Sequence, residues 1–530
     1  MRLKKCIPLF GITMAILTAI PVSASNMTVN SSQSLSQLSS TKEVEESTAS
    51  QSASDEQNES QSGDDSGKVY DFKDSKTTGV VTATKTWEDD LPNDERPMPD
   101  VTISTEPYHK NPLGYTITYH GNGLTFADGS TENEVLVNAS GKIISGQFKT
   151  IPGQVKWYSD TKYTREIVLD SNGLPSEKIT GDIDIYAHEI TYVLKKGHSF
   201  NRLIPSSATS IIFTDEKKPA SADSIDVDAD GDNGVIGWLD GTVLKVSSQV
   251  SGQKVISPTN SEEMFDSKSN LKSIDFNNLD TSNVTDMGCM FYDCSGLTNL
   301  NLTALDTSNV TEMGSMFSNC SGLTSLELAP LDTRNVENMG GMFSGCSGLT
   351  YLDLTSLDTS GVTNMAQMFN DCGNLTSLDL TSFDTSNVTY MEGMFSSCNN
   401  LVSLNISSFN TSNVNAMNNM FEYCSSLKNL NISSFDTSNV FEMGFMFYGC
   451  SGLTSLDLTS LDTSNVTNMS YLFDKCTSLK TLTLGTKFAF VGSNYRLPFG
   501  TWYSSNGTTY ASNGTTCTIP NNKADTYTRR

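Results

Sequence analysis

The chain has 530 residues, of which 37% are apolar and 18% charged, enough to fill two or three folded units with tails. Sixty acidic residues against 34 basic ones give a formal charge of −26. That charge repels phosphate backbones and anionic lipid head groups, so nucleic acid is not expected as a partner.

Residues 1–24 read as a secretory signal peptide: Arg2, Lys4 and Lys5 precede an apolar run from Ile7 to Ile20, and Val22-Ser23-Ala24 makes a small-residue exit. The run is shorter than the roughly 20 residues a membrane span needs, and no second run of that kind follows, so no transmembrane segment is expected. Cys6 lies inside the signal rather than just after it, which argues against a lipid anchor. Residues 25–78 are dominated by Ser, Gln, Thr and acids, with too little apolar surface to offset the entropy of ordering. A disordered, solvated spacer is expected, with a glycosylated stalk as the alternative. Residues 79–112, where acids and prolines surround Trp87, read as a linker.

Residues 113–190 alternate as half-buried strands do. Tyr115-Thr116-Ile117-Thr118-Tyr119 runs into the turn Gly121-Asn122-Gly123, and Glu134–Val137, Gln154–Tyr158 and Asp182–Ala187 follow. A small β-rich domain is expected. The pieces Ile117-Thr118-Tyr119 with Gly121-Asn122-Gly123, Trp157-Tyr158, and Gly181-Asp182 through Tyr186-Ala187 resemble the internalin-type B repeat, a β-grasp-like module of bacterial surface proteins. Lys156 stands where that module has a Gly before its Trp. His188-Glu189 opens a zinc-protease motif, but Tyr192 replaces the second His. In the flank at 191–262, Asp226-Val227-Asp228-Ala229-Asp230-Gly231 begins like a calcium loop, yet its twelfth position is Gly237 instead of Glu. A hairpin turn is the expectation, with a weak calcium site as the alternative.

From Ser261 onward the chain repeats. Phe265, Phe291, Phe317, Phe343, Phe369, Phe395, Phe421, Phe447 and Phe473 stand 26 residues apart without a slip, which predicts nine stacked units over 263–485 with a C-terminal cap at 486–530. In one unit, Leu300-x-Leu302 has the period of a strand, whereas Val310, Met313, Met316, Phe317 and Cys320 have the three-and-four spacing of a helix face. The fold class expected is an α/β solenoid of nine strand-plus-short-helix coils, whose strands form a parallel sheet on the order of 40 Å long.

Each column along the repeats has an expected task. Asp280, Asp306, Asp332, Asp358, Asp384, Asn410, Asp436 and Asp462 precede the helical stripe and read as helix N-caps; a ladder of metal sites is the alternative. Asn283, Asn309, Asn335, Asn387, Asn413, Asn439 and Asn465, interrupted by Gly361, read as buried amides satisfying turn backbone. Cys294, Cys320, Cys346, Cys372, Cys398, Cys424, Cys450 and Cys476 form one column, read as reduced, buried thiols. In an exported protein, disulfides between neighbouring units are the alternative. All four histidines, His109, His120, His188 and His198, precede the repeats, so no cysteine–histidine pair, catalytic residue, metal or cofactor is expected and the chain reads as a non-enzyme. Leu497-Pro498-Phe499-Gly500-Thr501 resembles a wall-sorting signal with its Gly and Thr reversed, so covalent anchoring is not expected. The candidate ligand-facing residues point outward from the strands: Glu327, Tyr351, Asp353, Asp379, Asn405, Asn431 and Asp457.

Leu-Asp-Thr-Ser-Asn-Val-Thr followed by Met-x-x-Met-Phe-x-x-Cys resembles the BspA-like leucine-rich-repeat surface proteins of bacteria. Ala208–Phe213 and Gly237-Trp238-Leu239-Asp240-Gly241 are similar to that family's N-terminal flank, and Ile519-Pro520-Asn521-Asn522 with Asp525-Thr526-Tyr527 to its C-terminal flank. The resemblance implies a right-handed leucine-rich repeat and adhesion to host matrix proteins, other bacteria or surfaces, with no ligand-contact residues to carry over. The expected protein is a monomeric, adhesin-like binding protein, secreted or held non-covalently at the cell surface. Its expected partner is a host matrix protein, mucin, glycan or bacterial surface component. The alternative is a structural component of the wall or biofilm matrix without a discrete ligand.

Overall fold

The computed structural model of the protein describes residues 114–163 and 165–530. The signal-peptide, spacer and linker readings for residues 1–112 lie outside them. The first strands arise where side chains alternate: β1 (Tyr115–His120), β2 (Glu132–Val137), β3 (Ile143–Ser145), β4 (Val155–Tyr158) and β5 (Ile183–Glu189) form one sheet in the order β3-β2-β1-β5-β4. β1 is antiparallel to β2 and parallel to β5. One face buries Ile117, Tyr119, Val135, Val137, Trp157, Ile185 and Ala187 as a core of its own. Tyr119 meets Trp157 edge-on at 5.5 Å, and its hydroxyl donates to Gly173 O at 2.6 Å, so a buried phenol keeps a partner.

A second core runs from Leu194 to Tyr527. It opens with the short helix α1 (Gly197–Asn201), followed by β6 (Ser210–Thr214), β7 (Ile225–Asp226), β8 (Ile236–Asp240), β9 (Val243–Ser247), β10 (Val255–Ile256), β11 (Ser273–Asp275) and β12 (Leu279–Asp280). β6 lies between β9 and β11, parallel to both, so this flank supplies the first repeat with a ready-made neighbour.

In the repeats the structure overturns the α/β reading. Among the described residues the one α-helix is α1, five residues long and outside the repeats. The stripe expected as a helix face is a pair of consecutive tight turns: Met316 N–H donates to Met313 O (3.2 Å) and Cys320 N–H to Phe317 O (3.1 Å). Between them, Ser315 N–H and Phe317 N–H donate out of the unit, to Gly340 O (2.8 Å) and Met342 O (2.9 Å) of the next. A helix would keep those donors for its own carbonyls four residues back. Ser315 (φ 55°) and Asn319 (φ 59°) also take left-handed backbone, which a right-handed helix does not contain. The right-handed α/β leucine-rich solenoid is therefore corrected to a β-class chain of several small sheets connected by turns.

The long sheet on the leucine side is corrected too. Past β11, strand pairing at the Leu-x-Leu position among the described residues is limited to β13 (Ser377–Asp379) with β14 (Ser403–Asn405) and β15 (Ser455–Leu458) with β16 (Thr481–Leu484). Successive units are joined elsewhere. Single-residue parallel bridges link Asn260, Asp286, Glu312, Asn338, Asn364, Tyr390, Ala416, Glu442 and Asn468 in turn. The nine phenylalanine rings stack at 5.5 to 6.0 Å, within 12° of parallel. After β17 (Gly500–Tyr503) and β18 (Thr509–Ser512), β19 (Asp525–Arg529) lies antiparallel to β16 and covers its free edge.

The eight column cysteines are buried, unpaired thiols, each Sγ donating to the carbonyl of the Phe 29 residues earlier at 3.0 to 3.1 Å. Burial pushes Cys346 and Cys398 up to about 12, so the reactive thiolate is scarce at neutral pH. Native protein should therefore leave these thiols unlabelled by a disulfide reagent at pH 8, and unfolding without reductant should release them. Rapid native labelling, or near-zero thiol after unfolding, would sink this assignment.

Candidate functional site

All seven candidate strand-face residues are exposed, but most have a local task. Asp353 Oδ1 accepts from Thr355 N–H (3.0 Å) and its hydroxyl (2.7 Å), and Asp379 does the same with Thr381. Asn405, Asn431 and Asp457 accept from the N–H two residues on, Ser407, Ser433 and Thr459. These are Asx turns that end the strand position. Glu327 and Tyr351 project from neighbouring units, and Tyr351 is 64% exposed.

The Asp column also closes turns. Asp306 Oδ1 accepts from Ser308 N–H at 3.0 Å, and Asp358 and Asp384 repeat the bond with Ser360 and Ser386. The serine hydroxyl and N–H hold Asp358 and Asp384 below the usual carboxylate range. With no helix after them, their helix-capping role is corrected to turn closure. The Asn ladder does satisfy backbone, Asn309 Nδ2 reaching Ser282 O at 2.7 Å, but from exposed positions and across to the preceding unit.

The feature that sequence periodicity missed is an aromatic and cationic patch on the turn side of the later units. Two columns take left-handed backbone in every unit; many positions hold residues suited to it, such as Gly341, Gly393 and Asn419, or Asn319, Gly345, Asp371 and Gly449, although Glu263, Cys289 and Gln367 adopt it as well. Glycine has no Cβ to clash there, and Asn and Asp tolerate the conformation. The later units instead place Tyr423 (φ 55°), Phe445 (φ 60°), Tyr471 (φ 58°) and Lys475 (φ 60°) in these columns. A left-handed non-glycine residue costs about 1–2 kcal/mol.

The rings make one cluster. Tyr423 meets Tyr448 edge-on at 5.1 Å, Phe445 contacts Tyr448 at 5.5 Å, and Phe445 stacks on Tyr471 at 4.9 Å. Lys475 Nζ donates to the Tyr423 hydroxyl at 3.2 Å and sits 4.6 Å from the Tyr448 ring centre, while the Arg496 guanidinium lies 4.9 Å from that of Tyr471. Hydrogen bonding to Tyr448 and Tyr423 raises the Lys475 ammonium above its ordinary range, so it stays charged. The patch offers ring edges, phenolic hydroxyls and two fixed cations on a strongly acidic chain, which suits recognition of a polar or anionic polymer.

Asp226–Gly231 forms the expected hairpin, with Ile225 paired to Gly237, so the twelfth loop position lies in a strand. Asp228 is fully buried; burial first, and the Asp232 charge next, push its carboxyl up to about 7. No described helix is long and apolar enough to cross a membrane.

Residues 259–374, 324–404 and 398–487 are similar to a family described as Mycoplasma protein of unknown function, DUF285, over less than half of the chain. No curated protein and no solved structure matches the chain.

Proposed function

We propose that the protein is an exported, adhesin-like binding protein that engages a macromolecular ligand through its repeats, with the patch of Tyr423, Phe445, Tyr448, Tyr471, Lys475 and Arg496 as the contact surface. The observation that carries this reading is the choice of residue at left-handed backbone positions. Tyrosine, phenylalanine and lysine cluster at left-handed positions where most other units carry Gly, Asn, Asp or Ser and the rest carry Glu263, Cys289 and Gln367, none of them aromatic, and strain kept at a surface site points to use rather than stability. The resemblance of the repeat to BspA-like surface proteins and the signal-like start support export and adhesion. Ligands of matching chemistry are matrix proteins, mucins and glycans, or a component of another bacterial surface.

The test replaces the patch with what other units carry at the same positions: Tyr423→Asn, Phe445→Gly, Tyr471→Asn and Lys475→Asn together. Stability should hold or rise, because each change relieves left-handed strain, while saturable binding in a panel of matrix proteins, mucins and glycans should fall at least tenfold. Undiminished binding by the variant would reject the patch. Wall association with no saturable ligand in the panel would favour a structural component of the wall or biofilm matrix.

A further inference from the structure

Two motifs that fail separately in the sequence meet in space. His188, from β5 of the first sheet, faces the 226–236 hairpin loop of the flank. Its Nε2 lies 3.6 Å from Asp230 Oδ2 and 3.5 Å from Asp232 Oδ2. These three ligand atoms all lie within 4.8 Å of one another. The separations exceed an N–H···O hydrogen bond. They match the edge of a tetrahedron whose metal–ligand bonds are about 2.0–2.2 Å, which is roughly 3.3–3.6 Å.

The His188 Nε2 atom is buried and finds no hydrogen-bond partner among the described residues, although two carboxylate oxygens are its nearest polar neighbours. The remaining carboxylate oxygens of the loop are already used. Asp230 Oδ1 accepts from Asp232 N–H and Asp232 Oδ1 from Gly234 N–H. Asp228 accepts from both Asn233 N–H and Val235 N–H. Only the two Oδ2 atoms face the imidazole, and Thr191 steadies them, its hydroxyl donating to Asp230 and its N–H to Asp232. Tyr163 lies against the imidazole at 4.0 Å and fixes its plane.

We infer that His188, Asp230 and Asp232 form a binding site for a divalent transition-metal ion of the zinc class, tying β5 to the flank of the repeats. Calcium fits poorly, since it seeks six to eight oxygens, and this site offers one imidazole nitrogen and two carboxylate oxygens, each of which accepts one hydrogen bond from Thr191 and keeps a lone pair for a metal. A fourth position remains for water, as in zinc sites with three protein ligands.

The test titrates the chelator-treated full chain with Zn2+ and, separately, with Ca2+ by calorimetry, and follows thermal unfolding in each. Wild type should take up one Zn2+, with a raised unfolding midpoint. His188→Ala and Asp230→Asn should each weaken binding at least tenfold and lose the zinc-dependent midpoint shift. Asp230→Asn retains an oxygen to accept from Thr191, and the metal-free unfolding midpoint of each variant establishes that it folds. Absence of zinc binding by wild type, uptake unaffected by His188→Ala, or equal affinity for calcium would each overturn the assignment.

Discussion

Phe395→Ala should lower the unfolding free energy by about 3–5 kcal/mol, as large-to-small truncations in a close-packed core do. The ring is wholly buried and sandwiched in its column, 5.9 Å from Phe369 at 3° and 5.7 Å from Phe421 at 8°. Removing it opens a void walled by two flat rings whose backbones are fixed by hydrogen bonds to the neighbouring units, Phe369 N–H to Met394 O and Phe421 N–H to Met446 O. Collapse of the void is therefore restricted, which favours the upper part of that range. Phe395→Leu should cost less, because it retains most of the apolar volume but loses the stacked geometry. Denaturant unfolding of both variants measures the difference; an unchanged midpoint for Phe395→Ala would show that the ring is not part of a packed column.

That column was legible in the sequence because a strict 26-residue spacing has few causes. So were four of the five strands of the first sheet: inward and outward residues alternate in β1, β2 and β5, and β4 is marked by its β-branched and aromatic residues although Trp157 and Tyr158 are both buried; β3 (Ile143–Ser145) is too short to show a period. The helix reading failed because spacings of three and four are not unique to helices. Two successive turns, each reversing the chain over three or four residues, also return Met313, Met316, Phe317 and Cys320 to one side. A signal against the helix was present: the columns of Ser315 and Asn319 are rich in Gly, Asn and Asp, which favour left-handed turns and weaken helix interiors. Read that way, Phe445 and Tyr471 join Glu263, Cys289 and Gln367 as exceptions to the turn chemistry and are the aromatic ones among them, which makes the patch visible. Outward strand positions such as Glu327 and Tyr351 followed from alternation. The meeting of His188 with Asp230 and Asp232 did not, because it joins distant segments with no shared local period.

Thr411→Val should cost about 1–3 kcal/mol although it removes no volume, the range for backbone groups deprived of a buried partner. The Thr411 hydroxyl, buried without exposure, donates to Asp436 O at 2.7 Å and accepts from Asp436 N–H at 2.8 Å. Thr385 holds Asn410 in the same two-bonded clamp, and Thr463 holds Ala489 in the cap. Valine fills the same space and satisfies neither group. Thr411→Ser supplies the converse, keeping the hydroxyl and losing one methyl group, worth about 0.8 kcal/mol. If the clamp matters more than the packing, valine is the worse replacement; if serine is equally or more damaging, the hydroxyl contributes little. The order of the two variants also bears on register. Stacked phenylalanine rings are non-directional and tolerate small slips, whereas a hydroxyl that donates to and accepts from one residue of the next unit fixes that unit's position along the chain. Burial of the Phe, Met and Leu columns then drives association of the units, and the threonine column selects the alignment in which they associate.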